Sequence, residues 1–345
     1  MPDSSFDVVV IGAGIAGLTA AALARQQGAK TALVATGPGR FIYGAGWFRA
    51  DEFAHADNAE LGKAIAFFRQ LSEEADCAFA GNLHQARLLP TVLGDFLPVT
   101  LAPSTLWNGA PSDGAQIAVV GIKGLSGFDE HFMAERMNSD ARQRGINCHY
   151  VARSIHLFRN LGLPLTPTRI ANCFDYDAAF RHELATALAT VADECDRILV
   201  PAILGLESSG KDLATFTASV GTHVGELATL PPSIAAVRVQ KRLERHLQNL
   251  GIEIFRGFPV RQLFFSDGNC TGLEIDAPGR GTELRATHIL LAAGSANHTL
   301  AGNHQAGNLT AANISPELHN SPLAQLLAGF RAASELAPAK EIYAA

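Results

Sequence analysis

Hydrophobic positions in this chain alternate between two periods, and that alternation predicts most of its elements. Phe6-Asp7-Val8-Val9-Val10-Ile11 is a β-branched run of the kind a fully buried parallel strand needs. Residues 15–27 read as a helix, and Lys30 to Ala35 returns as a second strand. The first 35 residues therefore predict one β-loop-α-β unit. Glycines between Gly37 and Gly46 predict a loop, and Glu60 to Ala75 predicts a helix. Residues 82–104 carry short apolar runs broken by Pro90, Gly94 and Pro98, which suggests a small β-meander.

The middle of the chain repeats the pattern. Gln116 to Ile122 predicts a buried strand, Phe128 to Arg144 a helix, and Asn147 to Val151 a further strand. Asp177 can cap a helix whose Phe180, Leu184, Leu188 and Val191 share one stripe, with a strand at Arg197 to Ala202 after it. Pro231-Pro232-Ser233 opens the clearest helix, with Val239, Leu243, Leu247 and Leu250 on one face and Gly251 as its left-handed stop. Four strand-like pieces fill Ile252 to Leu291, the last ending in Ala292-Ala293-Gly294-Ser295. Residues 296–320 lack a period, and a short helix is expected at about 321–336.

The fold class expected is α/β, a Rossmann-like FAD/NAD(P)-binding domain with a parallel sheet plus an inserted α/β substrate or cap domain. With 345 residues, 48% hydrophobic and 17% charged, the chain can bury two cores. Its formal net charge of -6, with basic residues scattered, argues against nucleic acid as a partner. Cys77, Cys148, Cys173, Cys195 and Cys270 form no Cys-x-x-Cys pair and no zinc or iron–sulfur spacing, so reduced thiols in the cytoplasm and no metal site are expected. The apolar stretch Phe6 to Ala24 lacks the preceding basic residues of a signal peptide and carries three spaced glycines, which fits a strand and helix better than a membrane span.

Gly12-Ala13-Gly14-Ile15-Ala16-Gly17 joins the first strand to the first helix. In such a loop Gly12 permits a tight turn, Gly14 lets backbone approach a pyrophosphate, and Gly17 lets helix pack on strand. The pattern alone is weak; the flanking strand, helix and returning strand make it specific. An Asp or Glu that would end the second strand and bind ribose hydroxyls is missing, and Ala35 and Thr36 stand there instead. The alternative reading is a glycine-rich turn that binds nothing.

Five segments, in order, carry a family resemblance. They are Val10 to Leu18, Val119 to Leu125, Ile198 to Leu206, Leu227 to Ser233, and Leu290 to Ser295. The chain resembles the family of B subunits of anaerobic glycerol-3-phosphate dehydrogenase, within the wider glutathione-reductase-like flavoprotein superfamily. That resemblance implies a discontinuous FAD-binding domain at 1–50 and 230–310, an inserted substrate or cap domain at 51–229, and a tail with a short helix at 311–345. It implies FAD as cofactor, with FMN as the other flavin the family admits. Gly12, Ala13, Gly14, Ile15, Ala16 and Gly17 would hold the dinucleotide, with Thr36 offering one hydrogen bond in place of the carboxylate; by similarity, Gly44 and Gly46 would lie near the flavin, Val260 would touch the adenine through its backbone, and Ala293 and Gly294 would pass close by. The activity implied is passage of electrons from oxidation of an alcohol, a small-molecule substrate, through flavin towards quinone. The partners implied are a catalytic flavoprotein subunit and an iron–sulfur, membrane-attached subunit, which would hold this chain peripherally on the cytoplasmic face of the inner membrane. The superfamily's closing strand, ending in Gly-Asp, and the helix behind it are not visible after Ser295, so the chain reads as shortened there. Two other readings stay open: a flavin-free structural subunit, and a stand-alone oxidoreductase acting on another small substrate.

Candidate catalytic groups are few. His223 could act as a general base but also reads as a surface loop histidine, and Arg238 could meet a phosphate or flavin but also reads as a helix-surface arginine. Lys123 and His131 flank the Gly124-Leu125-Ser126-Gly127 turn and could bind a substrate phosphate, though a solvated lysine is the simpler reading. Trp47 and Phe48 could stack on a flavin or belong to the core, and His298, His304 and His319 have no metal-ligand spacing.

Overall fold

Strand β1 (Ser5–Ala13) forms where the sequence concentrates β-branched side chains, and Val9 and Val10 in it are fully buried. The computed structural model describes residues 5–49, 59–157, 165–277, 280–294, 300, 308–313 and 321–336. Helix α1 (Ile15–Gln26) follows and buries most of its length, and β2 (Thr31–Pro38) returns parallel to β1, pairing Val8 with Thr31 and Val10 with Leu33. Helix α2 (Ala59–Glu74) comes next. The chain divides into two compact units: Met1–Phe41, His55–Leu71 and Leu243–Ala345 form the first, Ile42–Ala54 and Ser72–Arg242 the second.

The second unit opens with β3 (Phe79–Gly81), β4 (Arg87–Pro90), β5 (Phe96–Val99) and β6 (Leu101–Pro103). A meander was expected here; instead β4 pairs with β5 inside a β3–β6 pair, two nested hairpins. Strands of three or four residues are too short for their apolar period to reveal which neighbour they choose. A single helical turn, α3 (Ser104–Trp107), leads to a parallel layer made of β7 (Gln116–Ile122), α4 (Glu130–Gln143), β8 (His149–Ile155), α5 (Pro167–Tyr176), α6 (Ala178–Ala192), β9 (Arg197–Pro201), α7 (Gly210–Val220) and β10 (His223–Leu227). Its strand order is β10-β9-β7-β8, all parallel. One face of this sheet buries Ala118, Val120, Ile198 and Val200 against Phe174, Leu184, Leu188 and Phe216, and the other buries Ile117, Val119 and Leu199 against Met133 and Met137. Helices on both faces explain why β7 reads as an unbroken apolar run.

Helix α8 (Ile234–Asn249) ends at Gly251, whose φ of 81° supplies the left-handed stop read from the sequence. Strands β11 (Glu253–Arg256), β12 (Val260–Ser266), β13 (Asn269–Ala277) and β14 (Arg280–Leu291) then return to the first unit. The sheet order is β11-β2-β1-β14-β13-β12, with β11, β2, β1 and β14 parallel and β12 and β13 antiparallel. Because β2 and β11 lie on one side of β1 and β14 on the other, chain direction across the sheet reverses between β1 and β14. In such doubly wound sheets the crevice for a ligand opens at that switch point, beyond the carboxyl ends of the strands.

One sequence expectation is corrected. A closing strand is present: β15 (Leu309–Ala311) pairs in parallel with β14, Ile289 opposite Leu309, and helix α9 (Pro322–Ser334) follows it, capped by Ser321. The strand is three residues long, Leu-Thr-Ala, and ends in Ala312-Asn313 where the resemblance led to Gly-Asp, so no periodic or glycine signal marks it. Helix α9 packs on α1. The contact is close because Gly329 has no side chain; a Cβ there would sit 2.1 Å from the Ala16 carbonyl oxygen.

Candidate functional site

The three glycines of the first loop have different surroundings. Gly12 has φ of 118°, and a Cβ there would fall 2.3 Å from the Ala292 carbonyl oxygen on the strand across the switch point. A Cβ on Gly17 would lie 1.7 Å from the Gly12 carbonyl oxygen, so α1 can sit on the loop only if residue 17 is glycine. Gly14 differs: it is extended (φ -75°, ψ 179°), a conformation any residue adopts, and a Cβ there would meet only the Gly39 Cα, at 3.7 Å. The fold itself thus gives two of these glycines a steric reason and leaves the third with free space beside it. Gly14 is also the N-cap of α1, where no side chain caps the helix and no acidic residue stands in the first turn. The first N–H groups of α1 therefore remain available to an anion.

That space belongs to a cavity of about 390 Å³ in the first unit. Gly12, Ala13, Gly14, Ala16, Thr36, Val260, Ala293 and Gly294 all line it, with Arg40, Phe258 and Gln325. Ile15 and Gly17 are buried beneath the loop and serve its packing. Gly44 and Gly46 belong to the second unit, where Gly46 (φ 89°) lies against Ala236. Sequence reasoning missed Arg40 and Gln325. The only signal for Arg40 was its place four residues beyond Thr36, and Gln325 enters through α9, four residues before the Gly329 contact. An FAD-type dinucleotide fits this wall at three points: free space at Gly14 for a phosphate, an uncapped helix start for its charge, and apolar Val34, Phe258 and Val260 for an adenine.

Arg238 requires a correction. It reaches neither the helix surface nor the cavity: it is 3% exposed, and its guanidinium forks onto Glu226, with Nη1 donating to Oε2 and Nη2 to Oε1, both at 2.8 Å. Its Nε donates to the Gly205 carbonyl at 2.8 Å. Residue 238 follows Ile234 and Ala235 by four and three positions, which turns it onto the buried side of α8. Glu226 also accepts from the Ile203 and Leu204 N–H groups at 3.1 and 3.0 Å. Burial works to raise the Glu226 pKa, but the Arg238 charge and these bonds outweigh it and hold the carboxyl below its usual range. Asp175 does the same for the rest of this loop, accepting from Leu206 N–H and Ser208 Oγ, both at 2.7 Å. The pair is a structural clamp on the segment after β9.

His223 is exposed and begins β10, on a strand and not in a loop, at the amino end of the parallel sheet. Lys123 and His131 are exposed, and His131 follows Asp129 and Glu130, which gives the start of α4 a negative character unsuited to a substrate phosphate. Trp47 is half-buried in a core with Leu89 and Val99, and Phe48 is fully buried with its ring 5.5 Å from Phe79, so both are core residues. None of the five cysteines is in a disulfide, and burial pushes the Cys77 thiol up to about 12 against the pull of Arg242. His298, His304 and His319 lie outside the described residues, as does Ser295.

The chain is also similar to known proteins. Residues 7–50 match the FAD binding domain family model, a span that covers the glycine loop, β2 and Arg40. Among solved structures, L-amino acid deaminase from Proteus myxofaciens aligns with 88% of this chain and 48% of its own, about half its length, at 12% identity and a TM-score of 0.39. Among curated proteins, the B subunit of anaerobic glycerol-3-phosphate dehydrogenase from Yersinia pestis (strain Antiqua) is 28% identical over 84% of this chain and 74% of its own. The protein of the same name from Yersinia enterocolitica is 26% identical over the same shares. The chain is thus an α/β protein with an FAD-type dinucleotide-binding loop, similar along most of its length to the B subunit of anaerobic glycerol-3-phosphate dehydrogenase.

Proposed function

We propose that this chain is the FAD-holding subunit of a quinone-linked sn-glycerol-3-phosphate dehydrogenase-like complex, passing electrons from alcohol oxidation to a partner chain. The observation that carries the flavin part is the free flank of Gly14 at the uncapped start of α1, opening on the cavity. The glycerol 3-phosphate part rests on the similarity to the Yersinia B subunits. In this reading the α1 N–H groups and Gly14 hold the pyrophosphate, Thr36 meets the ribose, the Val260 backbone faces the adenine, and Ala293 and Gly294 run beside the dinucleotide. FAD, when bound, supplies the redox chemistry; the chain positions it and excludes water from it. Apolar Val34, Phe258 and Val260 in the cavity wall, together with the match to the FAD binding domain family model, favour FAD over FMN.

The proposed division of labour, which the sequence alone drew as 1–50 with 230–310 against 51–229, has the first unit (Met1–Phe41, His55–Leu71 and Leu243–Ala345) holding FAD and the second facing substrate. The partners in this proposal are a catalytic flavoprotein subunit and a membrane-attached iron–sulfur subunit, which would place the chain on the cytoplasmic face of the membrane. No helix among the described residues is long and apolar enough to cross a membrane. A second reading, a structural subunit without flavin, draws on the missing carboxylate at Thr36.

Releasing the cofactor from denatured protein and identifying it by chromatography separates the two. We expect close to one FAD per chain, and a Gly14→Ala variant with unchanged melting but at least a tenfold lower flavin content, since its Cβ invades only ligand space. Colourless wild-type protein, both alone and purified with its partners, would leave the structural reading standing.

A further inference from the structure

The outer face of α4, wholly within the second unit, carries a shallow groove of about 440 Å³. Phe132, Arg136, Ser139 and Arg142 follow one another along it at helical spacing, with Glu135 beside them. Its apolar end is held in place by the neighbouring hairpin. The turn between β4 and β5 is closed by Thr91 N–H donating to the Asp95 carbonyl at 2.8 Å, Gly94 N–H to the Thr91 carbonyl at 3.1 Å, and Leu93 N–H to Thr91 Oγ1 at 3.1 Å. Gly94 (φ 78°) lets that turn lie on α4, since a Cβ there would fall 2.4 Å from the Arg136 Cβ. The turn leaves Leu93 62% exposed, and Phe132, one helical turn before Arg136, is 51% exposed. They are two of the five large apolar side chains exposed among the described residues. Apolar groups fixed in water at such a place cost free energy that a docked partner recovers, with little ordering left to do.

The charges along the groove select the partner. Arg144, at the end of the same helix, is answered by Asp140 at 2.8 Å, whereas the Arg136 and Arg142 guanidinium groups have no hydrogen bond or ion pair with a described residue. Against these two the groove holds one carboxylate, Glu135, in a chain whose net charge is -6. A locally basic groove with apolar anchors complements an acidic segment that carries an anchor of its own. A second copy docked across a two-fold axis would set this basic face against itself. A membrane surface calls for about four or more clustered basic residues, and this groove has two arginines.

We infer that α4 and the Leu93 turn form a docking site for a partner protein chain, which lays an apolar side chain on Leu93 and Phe132 and sets carboxylates against Arg136 and Arg142. This docking site presupposes the multi-chain complex proposed above and is independent of the flavin site.

The test is reconstitution of that complex from the full chain and the two separately purified partner chains, read by light scattering after gel filtration and by hydroxyl-radical footprinting. We expect one partner chain to bind and to protect Leu93 and Phe132, and its own protected segment to be rich in Asp and Glu around an apolar residue. Leu93→Ser and Phe132→Ser should each weaken binding at least tenfold. Arg136→Glu combined with Arg142→Glu should do the same, and should abolish the loss of affinity that rising salt causes in wild type. Tyr176→Ser, at an exposed aromatic residue outside the groove, should bind as wild type does. All these variants should keep the wild-type flavin content. Wild-type affinity in the double arginine variant, protection elsewhere on the chain, a protected partner segment without acidic residues, or self-association that Phe132→Ser abolishes overturns the docking site alone. Failure of wild type to bind either partner chain overturns the multi-chain complex with it, while flavin released from the same protein judges the flavin reading separately.

Discussion

At the residue scale, the Glu226–Arg238 pair has the most to lose from a single change. Both side chains are buried, 0% and 4% exposed, so each charge depends on the other and on the loop N–H groups around it. Removing one partner strands the other: Glu226→Ala or Arg238→Ala should cost about 3–5 kcal/mol in denaturant unfolding. Replacing both by apolar residues, as in Glu226→Leu with Arg238→Met, should recover much of that, and a double variant no better than the singles would show that the clamp on the Gly205 segment is what matters. The pH dependence has a definite sign. The folded Glu226 pKa is depressed, so its contribution is complete above the unfolded carboxyl value of about 4.3 and is lost as pH falls through the folded value. Wild-type stability should therefore fall more steeply than that of the double variant below about pH 4. Nothing in the sequence marked this pair, since Glu226 and Arg238 are twelve residues apart and belong to a strand and a helix.

At the scale of elements, α9 completes the cavity by lying on α1 at Gly329 while contributing Gln325 to the wall. Gly329→Val should push the two helices apart, cost about 1–3 kcal/mol, and loosen flavin retention together with stability. Ser334→Ala, on the exposed side of the same helix, should change neither melting nor flavin content. Helix α9 was legible in the sequence because its eight buried residues fall in a thirteen-residue window. The β1, α1, β2 unit and α8 were legible for the same reason, a long run of one period ended by glycine. Besides β15 and the single turn α3, three elements were not. Helix α7 buries only Phe216 and Val220, too few for a stripe, although its Ser209–Asp212 capping box was there to be read. Helix α5 carried Thr166 as cap and Pro167 at its first position, both start signals, ahead of only three buried residues. Strand β10 was hidden by Gly225, which a helix or loop reading absorbs easily but which here lets the strand pass Gly109, at 2.9 Å from the site of a Cβ. The cavity was half legible: the loop that carries phosphate has a fixed spacing, whereas Arg40 and Gln325 reach it through long-range packing.

At the scale of the whole molecule, each unit contains its own sheet with a parallel core, and the direction of the strands decides where chemistry can be placed. In the first unit Gly12 to Gly14, Thr36 and Ala292 to Gly294 lie at or just beyond the carboxyl ends of β1, β2 and β14, and the cavity opens there. The sheet of the second unit has order β10-β9-β7-β8, so its chain direction reverses between β7 and β9, and its carboxyl ends lead into Lys123, the Ala202 to Ser209 segment and Ala228. His223 opens β10 at the other edge, opposite Arg197 at the start of β9. A general base there would stand a full strand of five residues, roughly 16 Å, from the edge at which such sheets bind ligands. His223→Ala in the purified complex should therefore leave the rate of flavin reduction by sn-glycerol 3-phosphate within about twofold of wild type, with unchanged flavin content. A loss of tenfold or more, about 1.4 kcal/mol of transition-state stabilisation, would put the histidine in the chemistry and the substrate at the amino edge of the sheet.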